Sequence, residues 1–273
     1  MSSRNLIPVE GNLLLDALDA RDGALLAPHL VRAECARGTI LFEVGDDVSQ
    51  VTFPLDRTVT TLVVPLAGDR TVETATVGHE GAIGGVVSQG YLPAFTRCVV
   101  QIEGAVLRMD ADRLREAKGS SPALNDLFVR YADCLLAQVL QSVACNAAHP
   151  IEQRVVRWLL ALQDRLGTDA LPVTQTVLAA MLGVGRSYVS GVLGTLQDQG
   201  LIVVGRGRIH LLDRGRAEAA CCECHGRVRR HFMSVMGAVS TEGGEILAVD
   251  VTPDAAPAQR LDPLAHGSRE AAR

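Results

Sequence analysis

From Thr174 to Leu211 a short glycine-bearing turn separates two segments of helical apolar spacing, and a hairpin pattern follows directly. Thr174 offers a hydroxyl N-cap to a helix carrying Leu178, Ala179, Met181 and Leu182. Gly183 comes next, where the chain must turn sharply and where the left-handed backbone is costly for any residue with a Cβ. Val184 plugs that turn, and a second helix presents Val189, Val192, Leu193 and Leu196. Small Ala179 lets the two helices cross closely. The spacing predicts a helix-turn-helix. Leu201 to Val204 and Ile209 to Leu211 then read as strands around Gly205-Arg206-Gly207-Arg208, a wing whose guanidinium groups suit phosphate. Any two-helix corner shows glycine and apolar spacing, so the reading needs support from outside this segment.

Charge supplies some of it. The chain carries a net charge of −5 with a pI near 5.8, which by itself does not suggest a polyanion partner. Yet residues 151–230 hold eleven arginines and seven acids, a surplus of four positive charges, so the remainder carries −9. An acidic part and a separate basic part fit an anionic partner for the basic one. The chain has a single lysine, Lys118.

Upstream, Asn12 to Leu30 reads as helical and the period shifts at Val31. Gly38 to Phe42, Val51 to Phe53, Val59 to Val64, Thr71 to Val77, Cys98 to Ile102 and Ala105 to Met109 are short β-rich runs separated by Gly/Asp turns. Such a pattern predicts an antiparallel jelly roll or barrel over residues 12–120. Ser121-Pro122 then opens a long helix over 121–149, with a serine cap and proline in the first turn. Leu124, Phe128, Tyr131, Leu135 and Val139 form an apolar stripe along it, expected to pair with a second copy; the alternative is contact with the chain's own barrel, and the two contacts are compatible on different faces. Residues 150–220 are expected to form the winged helix-turn-helix domain, 221–236 a C-terminal helix, and 237–273, rich in Ala, Pro and Gly, a disordered tail. The fold class is therefore α+β.

On a helical wheel Ser187, Gly191 and Gly194 face outward from the second helix, flanked by Tyr188, Ser190 and Thr195, with Arg186 at its start. The expected DNA-binding residues are Thr174, Gln175, Arg186, Ser187, Tyr188, Ser190, Gly191, Arg206 and Arg208. Arg186 suits bidentate guanine recognition; Tyr188 either reads the groove or packs on the wing. The exposed glycines leave a thin face, which gives DNA shape a larger share of the readout.

The N-terminus has no signal-peptide pattern, and the longest uncharged stretch, Cys134 to Ile151, contains Gln138, Gln141, Asn146 and Pro150, so no membrane span and a cytoplasmic location are expected. The seven cysteines are an odd set, and Cys35, Cys98, Cys134 and Cys145 stand alone, consistent with buried free thiols in a reducing compartment. Cys221, Cys222, Cys224 and His225 crowd into five residues, and one helical turn does not wrap four ligands round an ion. No metal is expected on that reasoning. A thiol- or metal-responsive regulator acting through Cys221, Cys222 and Cys224 is the alternative.

A β-roll, a long helix and a winged helix-turn-helix, in that order, resemble the CRP/FNR superfamily of bacterial transcription regulators over about residues 12–235. The most specific match lies in Thr174 to Leu201, in Leu-Gly-Val-Gly-Arg-Ser-Tyr-Val and Leu-Gln-Asp-Gln-Gly-Leu-Ile. The resemblance implies a homodimer, not an enzyme, that binds a palindromic operator in double-stranded DNA, bends it and contacts RNA polymerase as activator or repressor. It maps the family's recognition-helix arginine onto Arg186, but puts Ser187 and Gly191 where an acidic and a basic reader are usual. It also places a cyclic-nucleotide cassette over residues 77–86, with Glu80, Gly84, Gly85, Arg97 and Cys98 as the effector-pocket candidates. Gly85 stands in the ribose-binding glutamate's place and Cys98 in that of a hydroxyl, so cyclic AMP is not the expected effector and no cofactor is assigned. A cupin-like enzyme needs clustered histidines, and His29 and His79 are the only ones before His149.

Overall fold

The computed structural model describes residues 11–68, 70–85, 93–240 and 246–248. Asp69 of one expected turn, Val86 of the cassette and most of the expected tail fall outside that set.

The N-terminal stretch expected to be one helix is broken. Asn12 caps α1 (Leu13–Asp16) and Asp19 caps α2 (Ala20–Leu26), each side chain accepting an N–H three residues on, and a 3-10 turn at Ala27–His29 completes it. Capping residues inside the apolar run divide it, because each offers the backbone a new start.

Seven strands follow: β1 (Val31–Cys35), β2 (Ile40–Phe42), β3 (Gln50–Pro54), β4 (Val59–Leu66), β5 (Arg70–Val77), β6 (Arg97–Ile102) and β7 (Gly104–Asp110). They make two antiparallel sheets, one ordered β1-β7-β3 and the other β2-β6-β4-β5. Leu107 sits between Arg32 and Phe53 in the first sheet, and Leu62 between Ala75 and Cys98 in the second. The expected β-roll is present. Helix α3 (Ala111–Ser120) closes it, an element with no expectation behind it.

Helix α4 (Pro122–Ala148) starts where Ser121 Oγ accepts the Leu124 N–H at 3.2 Å, and its 27 residues extend about 40 Å. The stripe expected to face a second copy does not point outward. Leu124, Phe128 and Tyr131 are buried in one cluster with Phe53, Leu107 and Ala82, and Leu135 packs on Val77, Ile83 and Cys98. Tyr131 Oη donates to the Ala82 carbonyl at 2.9 Å. Val139 is half-buried. The bulkiest residues of an amphipathic helix go to the nearest apolar surface, and here that is the chain's own sheet. A second stripe, Val129, Leu136, Leu140 and Val143, is left 55–64% exposed.

Beyond Pro150 lie α5 (Ile151–Leu166), β8 (Ala170–Leu171), α6 (Gln175–Leu182), α7 (Arg186–Asp198), β9 (Ile202–Gly205), β10 (Arg208–Leu211), α8 (Arg214–Ala220) and α9 (Cys224–Met236). Their core also takes in Val59, Val63 and Ile102 of the β-roll, so one apolar cluster runs through both halves. Within the expected tail, β11 (Ala238–Ser240) pairs antiparallel with β12 (Ile246–Ala248). Among the described residues no single helix is long and apolar enough to cross a membrane.

Candidate nucleic-acid interface

Thr174 Oγ1 accepts the Val177 N–H at 3.2 Å and opens α6. At the other end Gly183 takes φ 69°, and the Gly183 and Val184 N–H groups return to the Ala180 and Ala179 carbonyls at 3.2 and 3.0 Å. This left-handed cap turns the chain through 109° between the two helix axes, within the ~90–120° of a helix-turn-helix. A Cβ at Gly183 would also stand 2.9 Å from Val72 of β5, so the turn needs glycine twice over.

Helix α7 buries Val189, Val192, Leu193 and Leu196 as its spacing predicts. Arg186, Ser187, Tyr188, Ser190 and Gly191 are exposed, while Gly194, expected outward, is half-buried. Tyr188 keeps 56% of its surface in solvent. The first N–H groups of α7 receive no side-chain cap, leaving the positive end of the helix for an anion.

The wing is the β9–β10 hairpin, with Gly205 opposite Arg208 across an Arg206-Gly207 tip, and β8 pairs with β10 on its far side. Gln197 Oε1 accepts the Val204 N–H at 2.7 Å, which fastens the wing to α7; sequence reasoning passed over this residue because its partner is created by the turn at Gly200. Thr174, Gln175, Arg186 and Arg208 line one cleft between the helix starts and the wing. Arg206 is exposed at the tip.

Four members of the arginine surplus serve the fold instead. Arg154 donates to the Leu182 carbonyl at 3.0 Å, and Arg216 to the Gln199 carbonyl at 2.6 Å. Arg165 pairs with Glu80 at 2.8 Å and Arg214 with Asp164 at 2.7 Å. Burial alone would raise the Asp164 pKa, but hydrogen bonding and charge from His225, together with Arg214, bring it down to about 2.

The five effector-pocket candidates find different partners. Glu80 is spent on Arg165 and on the Gly78 N–H, so it ties the β-roll to α5. It borders a cavity among α1, α4, α5 and α9, together with Arg157, Cys224 and Phe232. A Cβ at Gly84 would meet the Gln50 carbonyl at 2.3 Å, and one at Gly85 would meet Ala111 and Val51 at 2.8 and 2.9 Å. Arg97 pairs with Glu43 at the surface. Cys98 lies wholly in the apolar cluster, and burial raises its pKa. Adjacent residues of β6 point to opposite faces, and the Arg97 and Cys98 side chains accordingly have separate surroundings.

The cysteines also differ from expectation. Cys35, Cys98 and Cys134 are buried as free thiols, but Cys145 is not alone: it packs with Cys222 and Cys224, and Cys221 lies against them. His225, counted with that group in the sequence, turns instead to Asp164 at 2.7 Å.

Residues 153–218 match the family model of the Crp-like helix-turn-helix domain. A search of curated protein sequences returns no significant match. Among solved structures, FixK2 from Bradyrhizobium japonicum is similar with a TM-score of 0.63 at 16% identity, over 71% of this chain and 98% of that one. A transcriptional regulator of the CRP/FNR family from Eubacterium rectale gives 0.60 at 17%, over 80% and 99%. A CRP/FNR-family transcriptional regulator from Thermus thermophilus gives 0.58 at 18%, over 70% and 97%. Identities this low carry the fold and not the ligand. Residues 153–218 thus form a Crp-like helix-turn-helix domain, and the chain as a whole has the fold of the solved CRP/FNR-family structures.

Proposed function

We propose that this protein is a sequence-specific transcription regulator that binds double-stranded DNA as a homodimer. The observation that carries this reading is the convergence of Thr174, Gln175, Arg186 and Arg208 on one cleft, beside the open face of α7 and the Arg206 tip. Helix α7 enters the major groove, Arg186 contacts a base edge, and the wing arginines contact phosphate. The second copy docks on the exposed Val129, Leu136, Leu140 and Val143 stripe of α4, not on the buried Leu124 face. Two recognition helices related by a two-fold axis match a palindromic operator, and contact with RNA polymerase in the cytoplasm belongs to the same reading. Glu80 and Cys98 have no freedom to hold a nucleotide, so the signal enters by another route than cyclic AMP.

Selection of bound sequences from a random DNA library, with purified protein and no added ligand, tests this. A palindrome with half-sites about 34 Å apart is expected, bound with an affinity that falls steeply with salt. Arg186→Ala then costs roughly 1–3 kcal/mol and relaxes one operator position. Binding indifferent to both sequence and salt overturns the proposal.

A further inference from the structure

Three thiols and an imidazole meet where α4 ends and α9 begins. Cys145 lies in the last turn of α4, and His149, four residues on, is the extended residue that caps the helix, its N–H donating to the Cys145 carbonyl at 3.0 Å. Cys222 lies in the short connection between α8 and α9, and Cys224, just past Glu223, is the first residue of α9. Their ligand atoms all fall within 4.8 Å of one another. Cys145 Sγ is 3.6 Å from Cys222 Sγ, and Cys224 Sγ is 3.4 Å from His149 Nδ1. A tetrahedral zinc ion, with Zn–S of ~2.3 Å and Zn–N of ~2.0–2.1 Å, spaces a sulfur pair about 3.8 Å apart and a sulfur–nitrogen pair about 3.6 Å apart, within a few tenths of an ångström of these distances. The thiols are buried and the ligand pairs come from different elements, as a structural zinc site requires.

We propose that Cys145, His149, Cys222 and Cys224 form a Cys3His site for zinc that clamps the α8–α9 connection onto the end of α4. The surrounding groups suit it. His149 Nε2 stands 3.3 Å from the Glu223 carboxylate, which orients the ring so that Nδ1 faces the sulfurs. Gln141 Nε2 donates to Cys224 Sγ at 3.0 Å. Binding displaces three thiol protons to solvent and leaves the zinc with three thiolates and a neutral imidazole at net −1, beside the positive Arg157 that bears on Cys145. Cys224 also borders the cavity shared with Arg157, an entry path for the ion. A Cys145–Cys222 disulfide would use two of these groups and leave the Glu223–His149 and Gln141–Cys224 contacts without a role.

The site lies two residues before α5, so it sets how the reader domain leaves the long helix. Metal loss therefore lowers operator affinity, on the order of ten-fold. The ion's binding stands on its own geometry; only this effect on DNA rests on the proposed function.

The test uses the full chain, purified under reductant without chelator. Zinc is expected at one ion per chain, and Co2+ added to the stripped protein gives the visible bands of a tetrahedral thiolate site. Cys222→Ser abolishes stoichiometric binding, and Cys221→Ser keeps it. Because Cys222→Ser also removes a core thiol, Glu223→Gln is the milder variant: circular dichroism stays unchanged and Co2+ affinity falls on the order of ten-fold. A reduced chain that holds no zinc and gives no tetrahedral Co2+ spectrum overturns the site. Zinc bound with operator affinity identical in loaded and stripped protein overturns the regulatory link. Zinc bound with no specific DNA binding in either form overturns the proposed function and leaves the site standing.

Discussion

Gly191 shows what separates a residue's place in the free protein from its place in a complex. It is exposed on α7, and a Cβ there would meet nothing within 4 Å, so the fold does not require glycine. Glycine in a helix costs about 1 kcal/mol relative to alanine. Gly191→Ala is therefore expected to raise Tm by ~2–4 °C, while operator affinity measured by anisotropy falls, because the added methyl lies on the groove-facing surface. A rise in Tm with unchanged affinity would place that surface away from DNA. Asp164 is the opposite kind of residue, half-buried and committed to His225 and Arg214. Its pKa is depressed from 3.8 to about 2, so the folded state favours the carboxylate. The resulting stabilisation, roughly 2 kcal/mol, is complete above the unfolded value and disappears as pH falls from about 4 to 2. Urea unfolding at pH 7 and at pH 2 checks this: Asp164→Asn loses stability at the first and little at the second.

Among the elements, α4 is the one where pattern and packing part company. Its caps and length were legible in Ser121-Pro122 and in the unbroken stretch after it. Which of its faces would meet a second copy, as proposed, was not. Spacing of three and four identifies an apolar stripe but not the surface that covers it, and α4 carries two such stripes. Leu140→Glu is expected to shift the protein from dimer to monomer in sedimentation while leaving Tm nearly unchanged. Phe128→Ala is expected to cost about 3–5 kcal/mol through the chain's own core, with the dimer contact retained. The helix-turn-helix was far more legible, since Thr174, Gly183 and the apolar positions of α7 are local features acting within a few residues. The wing's attachment through Gln197 was not, as it depends on where β9 returns.

For the whole molecule, the division between an acidic roll and a basic reader is correct in outline and overstated in detail. Arg165 and Glu80, drawn from the two halves, form a pair with side chains only 13% and 15% exposed. Breaking a buried pair leaves a desolvated charge, so Glu80→Ala is expected to cost about 3 kcal/mol and to split one calorimetric transition into two, with or without added nucleotide. A ligand-dependent change at the same position would return Glu80 to an effector pocket. What the sequence determined by itself was each unit that closes over short range: the capped helices, the glycine turn, the strand runs and the order of domains. Only the tertiary structure decided which face of α4 meets the roll, which arginines remain open to DNA, and that Cys145 and His149 join Cys222 and Cys224. The reason is physical. Caps and turns are satisfied by neighbours in the chain, whereas burial, ion pairing and ligand geometry depend on groups that folding brings together from far apart.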